Sequence, residues 1–108
     1  MEIDGRERFR LYPSLGFRLY AMGFKDGRTK IGISSRPRKR FLAHWRASNG
    51  AIAWTHLFGP HDSTERIESL ACELAAKIGE RIRRTEEFRG LDREQTIQCV
   101  RAAIKALD

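Results

Sequence analysis

The sequence predicts a small α+β domain with a three-stranded, mainly antiparallel sheet flanked by helices. Three observations predict it: two short β-compatible runs around a glycine-containing turn, a later alternating apolar run, and three stretches with helical spacing. Read in order, these segments give β-β-α-β-α-α. Because 108 residues leave room for one domain, we expect it over residues 18–108, after an irregular basic arm at 1–17.

The strands and the first helix are bounded by turn-forming residues. The predicted strands are Leu19 to Phe24, Thr29 to Ile33 and Ala51 to Phe58. The first helix should begin after Ser34-Ser35, with Pro37 in its first turn, and stop at Asn49-Gly50.

Two further helices are predicted from capping pairs. Asp62 with Glu65, and Asp92 with Gln95, have the spacing of capping boxes, and apolar residues follow each pair at helical intervals. The segment from Gly79 to Gly90 between these helices is predicted to be a charged loop.

Apolar patterning assigns the aromatic residues to the core. Alternation along the third strand places four side chains on one side, namely Ile52, Trp54, His56 and Phe58. In the first helix, Phe41 and Trp45 are expected to face the core, and Arg40 and His44 to share the neighbouring face.

Composition points to a polyanionic partner. Lys and Arg number 21 against 14 Asp and Glu, a formal charge of +7 in a small domain, which favours nucleic acid over a merely soluble basic surface. Apolar runs are too short for a membrane span, and the first ten residues lack the apolar stretch of a secretory signal. Two cysteines, Cys72 and Cys99, are expected to be reduced, half-buried helix residues in a cytoplasmic protein.

A set of separated residues resembles the pattern of the GIY-YIG nuclease superfamily. The triplets are represented by Leu19-Tyr20-Ala21-Met22 and by Lys30-Ile31-Gly32. Arg40 and His44 follow in the next helix, and Glu68 in the one after, where the family carries its catalytic arginine, a histidine and its metal-binding glutamate. The resemblance spans residues 18–90, is closest to a phage and bacterial branch, and includes Thr85-Glu86-Glu87-Phe88 in place of that branch's Glu-Trp-Phe ending.

The resemblance implies a metal-dependent endonuclease that hydrolyses phosphodiester bonds in DNA with one Mg²⁺ or Mn²⁺. In such an enzyme Glu68 would bind the metal ion and Arg40 would hold the scissile phosphate. Tyr20 would activate or orient water, while Lys30 and His44 would tune that step.

A shared site requires one particular hairpin register. A two-residue turn would pair Tyr20 with Ile33 and separate Tyr20 from Lys30 on opposite faces of the sheet. A three-residue loop with Gly27 at positive φ would pair Tyr20 with Gly32 and bring Lys30 to the same face. We therefore predict the second register.

Basic side chains outside this set are expected to contact the DNA backbone. They are Arg36, Arg38, Lys39, Arg81, Arg83 and Arg84, together with the arginines of the arm, Arg6, Arg8 and Arg10. Since the chain has no room for a separate recognition domain, specificity would be low or would come from a homodimer or a partner protein.

Two departures from the family pattern keep other functions open. Lys30 replaces the second tyrosine, and the asparagine that many members carry late in the region is missing, Asn49 being the only one. The alternatives are a catalytically silent nucleic-acid-binding relative, or a protein-binding scaffold. Cleavage, salt-sensitive binding without cleavage, and failure to bind a polyanion distinguish the three.

Overall fold

A computed structural model describes residues 17–83 and 85–107 of the chain. Nearly all of the expected arm, including Arg6, Arg8 and Arg10, lies outside these residues, as does Arg84. The described elements are β1 (Arg18–Phe24), β2 (Thr29–Ser34), α1 (Pro37–Ala47), β3 (Ile52–Pro60), α2 (Thr64–Ile78), β4 (Glu80–Arg81), β5 (Glu87–Arg89) and α3 (Arg93–Leu107).

The α+β class is confirmed, but the prediction of three strands is wrong. The described sheet has five antiparallel strands in the order β3-β1-β2-β5-β4. The extra strands lie in the segment predicted to be a charged loop, and they have only two and three residues. Strands this short show no alternation in the sequence, and burial of the Phe88 side chain under the helices holds them in place.

The predicted hairpin register is confirmed. Tyr20 pairs with Gly32 and Met22 with Lys30. Gly27 has φ of 92°, and its N–H donates to the carbonyl of Phe24 at 3.0 Å. The third loop residue thus adopts the left-handed conformation that a three-residue connection needs.

The two faces of the sheet carry different partners. One face packs on α2 and α3 and forms the main core, whose members include Leu19, Ala21, Ile31, Ile67, Ala71, Phe88, Ile97 and Val100. The other face carries Tyr20, Met22 and Phe24, against which Phe41 of α1 packs. Helix α1 therefore covers the face that also bears Lys30 and Gly32.

The apolar side of β3 differs from the prediction at one residue. Trp54 and Phe58 belong to or pack against the main core, whereas Ile52 packs on the opposite face with Phe24. The register between β1 and β3 shifts between the pairs of Gly23 and Phe24, and an added residue in one strand reverses the face of those beyond it.

The orientation predicted for Trp45 is wrong. Its side chain is 50% exposed and Leu42 is 46% exposed, and no residue of α1 is fully buried. Helix α1 contacts the sheet through the flank that carries Phe41 and His44. The Phe41 ring packs on Tyr20, and the His44 ring packs on Phe24.

One of the two predicted capping boxes forms. The Gln95 N–H donates to Asp92 Oδ1 at 2.7 Å, and the Asp92 N–H donates to Gln95 Oε1 at 3.0 Å, which confirms the box at α3. At α2 the N-cap is Ser63, and no side chain caps the helix, so the prediction for Asp62 is wrong.

The two cysteines lie in α2 and α3, and both are buried without a disulfide. No helix in the described ranges combines the length and the apolar character that crossing a membrane requires.

Candidate active site

The candidate site lies where strand β5 separates from β2. Their ladder ends at Lys30, apart from a backbone hydrogen bond of 3.1 Å from Ile31 N–H to Glu86 carbonyl oxygen. Beyond this point the backbone of Ile33 hydrogen-bonds to the carboxyl group of Glu68 from α2. A carboxylate from the helical layer thereby reaches the free edge of β2.

Tyr20 lies across Gly32 on the face covered by α1. A Cβ atom at Gly32 would come within 2.6 Å of both Cζ and the hydroxyl oxygen of Tyr20, so only glycine admits the ring in this position. Phe41 packs edge-on against the ring, with centroids 5.3 Å apart. The side chain is thus fixed on both sides, and its hydroxyl is directed over β2 toward the site.

The Tyr20 phenol is held in its protonated form. Burial raises its pKa to about 12, and the negative charges of Glu86 and Glu68 act in the same direction. The positive charge of the Arg40 guanidinium opposes the shift without cancelling it.

The carboxyl group of Glu68 is partly buried and has both acidic and basic side chains near it. Burial raises its pKa to about 7, and repulsion from Glu86 adds to this effect. Lys30 and the Ile33 hydrogen bond lower the pKa but do not offset the burial. The positive charge around Glu68 is therefore too small to offset the cost of burying its ionised carboxylate.

Glu86 belongs to this site, although the sequence analysis did not assign it a role. Its Oε2 atom lies 3.3 Å from Lys30 Nζ, and its charge raises the pKa of both Tyr20 and Glu68. The signal was present in the sequence, because Glu86 stands in the segment compared with the Glu-Trp-Phe ending. Its contact with Lys30 depends on strand β5, which the sequence did not predict.

His44 presents an unsatisfied nitrogen on the same side of α1 as Arg40. Its Nε2 atom is buried and, within the described part of the chain, has no hydrogen-bond partner. Burial lowers its pKa, with Lys30 and Arg40 contributing positive charge, so the imidazole is neutral at pH 7. A buried nitrogen without a partner is uncommon outside functional sites.

Electrostatic interactions link the five residues that the sequence singled out for chemistry. They come from four elements, and they are Tyr20, Lys30, Arg40, His44 and Glu68. Each interacts electrostatically with at least one other member of the set. The group offers a phenol, a neutral imidazole, two cations and a carboxylate at one place, which is the range of groups that acid-base chemistry on a phosphate ester requires.

The predicted backbone-contacting residues divide into two places. Arg36, Arg38 and Lys39 are exposed at the start of α1, where a surface cavity of about 270 Å³ is lined by Arg36, Lys39 and Arg40. Arg81 and Arg83 are exposed in the β4–β5 region, but Arg81 donates to the Thr85 carbonyl at 2.6 Å.

The donor set at Glu68 fits a hard divalent cation with few protein ligands. Among residues 17–83 and 85–107, no group of three or more His, Cys, Asp and Glu side chains is arranged to hold a metal ion. Mg²⁺ often binds through one or two carboxylates and retains its waters, and Glu68 with Glu86 nearby supplies that number. The insufficiently neutralised charge of Glu68 is what such a cation would compensate.

The fold and this site define an α+β domain with a cation-rich polar centre at an interrupted sheet edge. No protein-family model, no curated protein and no solved structure matches the chain.

Proposed function

We propose that the protein is a metal-dependent endonuclease that hydrolyses phosphodiester bonds in DNA by a single-metal mechanism of the GIY-YIG type. The observation that supports the proposal is that the charges of Arg40 and Glu68 both act on the buried Tyr20 phenol, although the three residues span 48 positions along the chain. A structural role alone gives no reason for a buried phenol, an exposed arginine and an insufficiently compensated carboxylate to converge.

The metal ion would be held by Glu68, with Glu86 as a second carboxylate nearby. When bound, Mg²⁺ or Mn²⁺ supplies positive charge to the scissile phosphate and lowers the pKa of water. The first contribution would add to that of Arg40, and the second is one that the surrounding side chains do not make.

Tyr20, His44 and Lys30 would each have a different role in the hydrolysis. Tyr20 stays protonated at neutral pH, so its hydroxyl orients the attacking water through a hydrogen bond. His44 is neutral and its Nε2 atom is buried beside Phe24, so it would tune the site without contacting the attacking water, and the proton that water releases would pass to solvent. Lys30, paired with Glu86, keeps positive charge beside both groups.

The cations at the start of α1 would bind phosphate groups of the DNA. Arg40 provides a planar guanidinium whose donors match the oxygens of a phosphate. The adjoining cavity, lined by Arg36 and Lys39, accommodates a neighbouring phosphate of the DNA backbone.

A plasmid-nicking assay in Mg²⁺ and in Mn²⁺ tests the proposal. We expect the wild-type protein to convert supercoiled DNA to nicked or linear forms, and EDTA to abolish the conversion. Glu68→Ala and Arg40→Ala should each reduce the rate by at least about 100-fold, the usual effect of losing a group that stabilises transition-state charge.

Matched variants control for charge and folding. Glu73→Ala removes an exposed carboxylate from α2, and Arg101→Ala removes an exposed cation from α3, so both should cut like wild type. Intact DNA with wild-type protein in both metals, or equal cutting by the Glu68→Ala variant, would contradict the proposal.

A nucleic-acid-binding protein without catalysis is the second candidate. The exposed cations of α1 favour it, since they form no ion pair with a carboxylate of the described residues and would bind phosphates without any chemistry. Salt-sensitive DNA binding by wild-type protein that leaves the DNA uncut in either metal would establish this function instead.

A further inference from the structure

Helix α1 has an apolar stripe that faces away from the sheet. Leu42 and Trp45 are three positions apart and therefore lie on one face, and both side chains are about half exposed, at 46% and 50%. Trp45 is a large aromatic residue that a small domain ordinarily buries. The described residues leave about half of each of these side chains uncovered.

The Trp45 ring is fixed by the turn that follows the helix. A Cβ atom at Gly50 would come within 3.1 Å of the ring, so the backbone of Gly50 lies directly against the indole. Asn49 and Gly50 both have positive φ, at 54° and 77°, and the Gly50 N–H donates to the Trp45 carbonyl at 2.7 Å. The tight turn thus supports one side of the ring and leaves the rest to solvent.

Cations without acidic neighbours surround the stripe. Arg38 lies one turn before Leu42, and Lys39 and Arg46 lie on the adjoining stripe. Helix α1 contains no Asp or Glu, and its first turn has none of the acidic residues that would favour the helix dipole. In the described part of the chain none of these three cations forms an ion pair.

We propose that this face, formed by Arg38, Leu42, Trp45 and Arg46, binds unpaired nucleotides, with a base stacked on the Trp45 indole and phosphates on the flanking cations. An indole beside cations is the arrangement that single-stranded nucleic acid binds, because every base offers a flat face. In a duplex those faces are covered by neighbouring base pairs. An aromatic ring that is exposed rather than set in a pocket favours an accessible, unpaired base.

This surface indicates which DNA substrate the proposed nuclease would act on. That part of the inference rests on the proposed function. Arg40 and His44 are carried by the same helix but on the side turned toward the sheet, so the stacking face would hold a part of the substrate next to the candidate active site and not within it. The substrate would then be DNA with an unpaired segment beside the scissile phosphate, such as a flap or a branched junction.

Binding in EDTA tests the surface without requiring cleavage. A labelled deoxythymidine oligonucleotide and a duplex of equal length would be titrated with protein, and fluorescence anisotropy would follow binding. We expect Trp45→Ala to weaken oligonucleotide binding between about 5-fold and about 150-fold, which corresponds to the loss of one stacked base. Duplex binding should change much less, and Trp45→Phe should retain most of the affinity.

Ile78→Ala is the matched control, since Ile78 is an exposed apolar residue of similar exposure at the end of α2. It should leave both affinities unchanged. Quenching of wild-type tryptophan fluorescence by the oligonucleotide is also expected, and the Trp45→Ala protein should lose it.

Several results would overturn the proposal. Equal losses on oligonucleotide and duplex would make Trp45 a general contact, and unchanged oligonucleotide affinity would remove its role. Sedimentation showing a wild-type dimer that Trp45→Ala converts to monomer would make the stripe an interface between copies. If Trp45→Ala loses oligonucleotide binding while wild-type protein never cuts DNA, the stacking surface stands and only the nuclease proposal fails.

Discussion

At the scale of single residues, the character of the candidate site comes from burial more than from the types of side chain. Glu68 and Tyr20 have their pKa values raised to about 7 and about 12, and in both cases desolvation is the largest cause. Neighbouring charges only modify these values. The sequence could identify the residues but not their burial, because burial depends on elements far away along the chain.

The raised pKa of Glu68 makes the metal-free protein less stable at higher pH. Its folded pKa of about 7 lies above the ordinary value of 4.5, so the folded state binds more protons between these values. The stabilisation is complete below pH 4.5 and is lost as pH rises through 7. Because Glu68 is partly exposed, the loss is on the order of 1–3 kcal/mol.

Glu68→Gln should remove this dependence. In EDTA, thermal melts at pH 5 and pH 8 should show the variant gaining stability over wild type at pH 8 and little at pH 5. Glu73→Gln, at an exposed position of the same helix, should leave the wild-type pH profile unchanged. Parallel profiles for wild type and Glu68→Gln would show that this carboxyl group is not perturbed.

The Tyr20 ring occupies the space that a side chain at position 32 would need. Gly32→Ala would place a methyl group 2.6 Å from Cζ and from the hydroxyl oxygen of Tyr20, which must then move. We expect a loss of about 1–3 kcal/mol in the free energy of unfolding, and reduced DNA cleavage. Urea denaturation and the nicking assay measure both.

Gly59→Ala is the corresponding control, since a Cβ atom there has nothing within 4 Å. It should keep stability and cleavage near wild type. If Gly32→Ala behaved in the same way, the position of the Tyr20 ring would be wrong.

At the scale of the elements, turn and cap chemistry could be predicted where the deciding residues are adjacent in the chain. The box at α3 followed from Asp92 and Gln95. The β1–β2 loop allowed two registers, and the observed one was predicted because only it brings Tyr20 and Lys30 to the same face. The strands β4 and β5 could not be predicted in this way. Each is too short for a periodic signal, and pairing with β2 and burial of Phe88 define them.

The orientation of α1 was also outside the reach of local patterning. Phe41 and Trp45 have the spacing of one helical stripe, yet only Phe41 contacts the sheet. The difference arises because α1 packs on one narrow flank, and the depth of that contact depends on the sheet below it.

The two capping sites provide a comparison between variants. Asp92→Ala removes the side-chain oxygen that accepts the Gln95 N–H, and we expect it to cost about 1 kcal/mol. This corresponds to a decrease in Tm of about 4–8 °C for a domain of this size. Asp62→Ala should be nearly neutral, because no side chain caps α2. Calorimetric melts that show equal losses for both would contradict the assignment of the caps.

At the scale of the whole molecule, net charge determines how the affinity for a polyanionic partner depends on salt. The formal charge of +7 and the exposed cations of α1 predict binding that is dominated by phosphate contacts. With about six phosphates neutralised, DNA affinity should decrease ~10³-fold between 50 and 200 mM salt. Anisotropy titrations in EDTA over this range measure the slope, and an affinity independent of salt would argue for a partner that is not a polyanion.

Strand β3 forms an outer border of the described sheet, and its construction restricts how copies of the protein can associate. Pro60 has no amide hydrogen to offer another strand, and the register shifts along β3 disturb the straight geometry that strand addition needs. Growth of the sheet into fibrils or strand-swapped assemblies is disfavoured at this border. A homodimer, if one forms, is therefore not expected to join its subunits through β3.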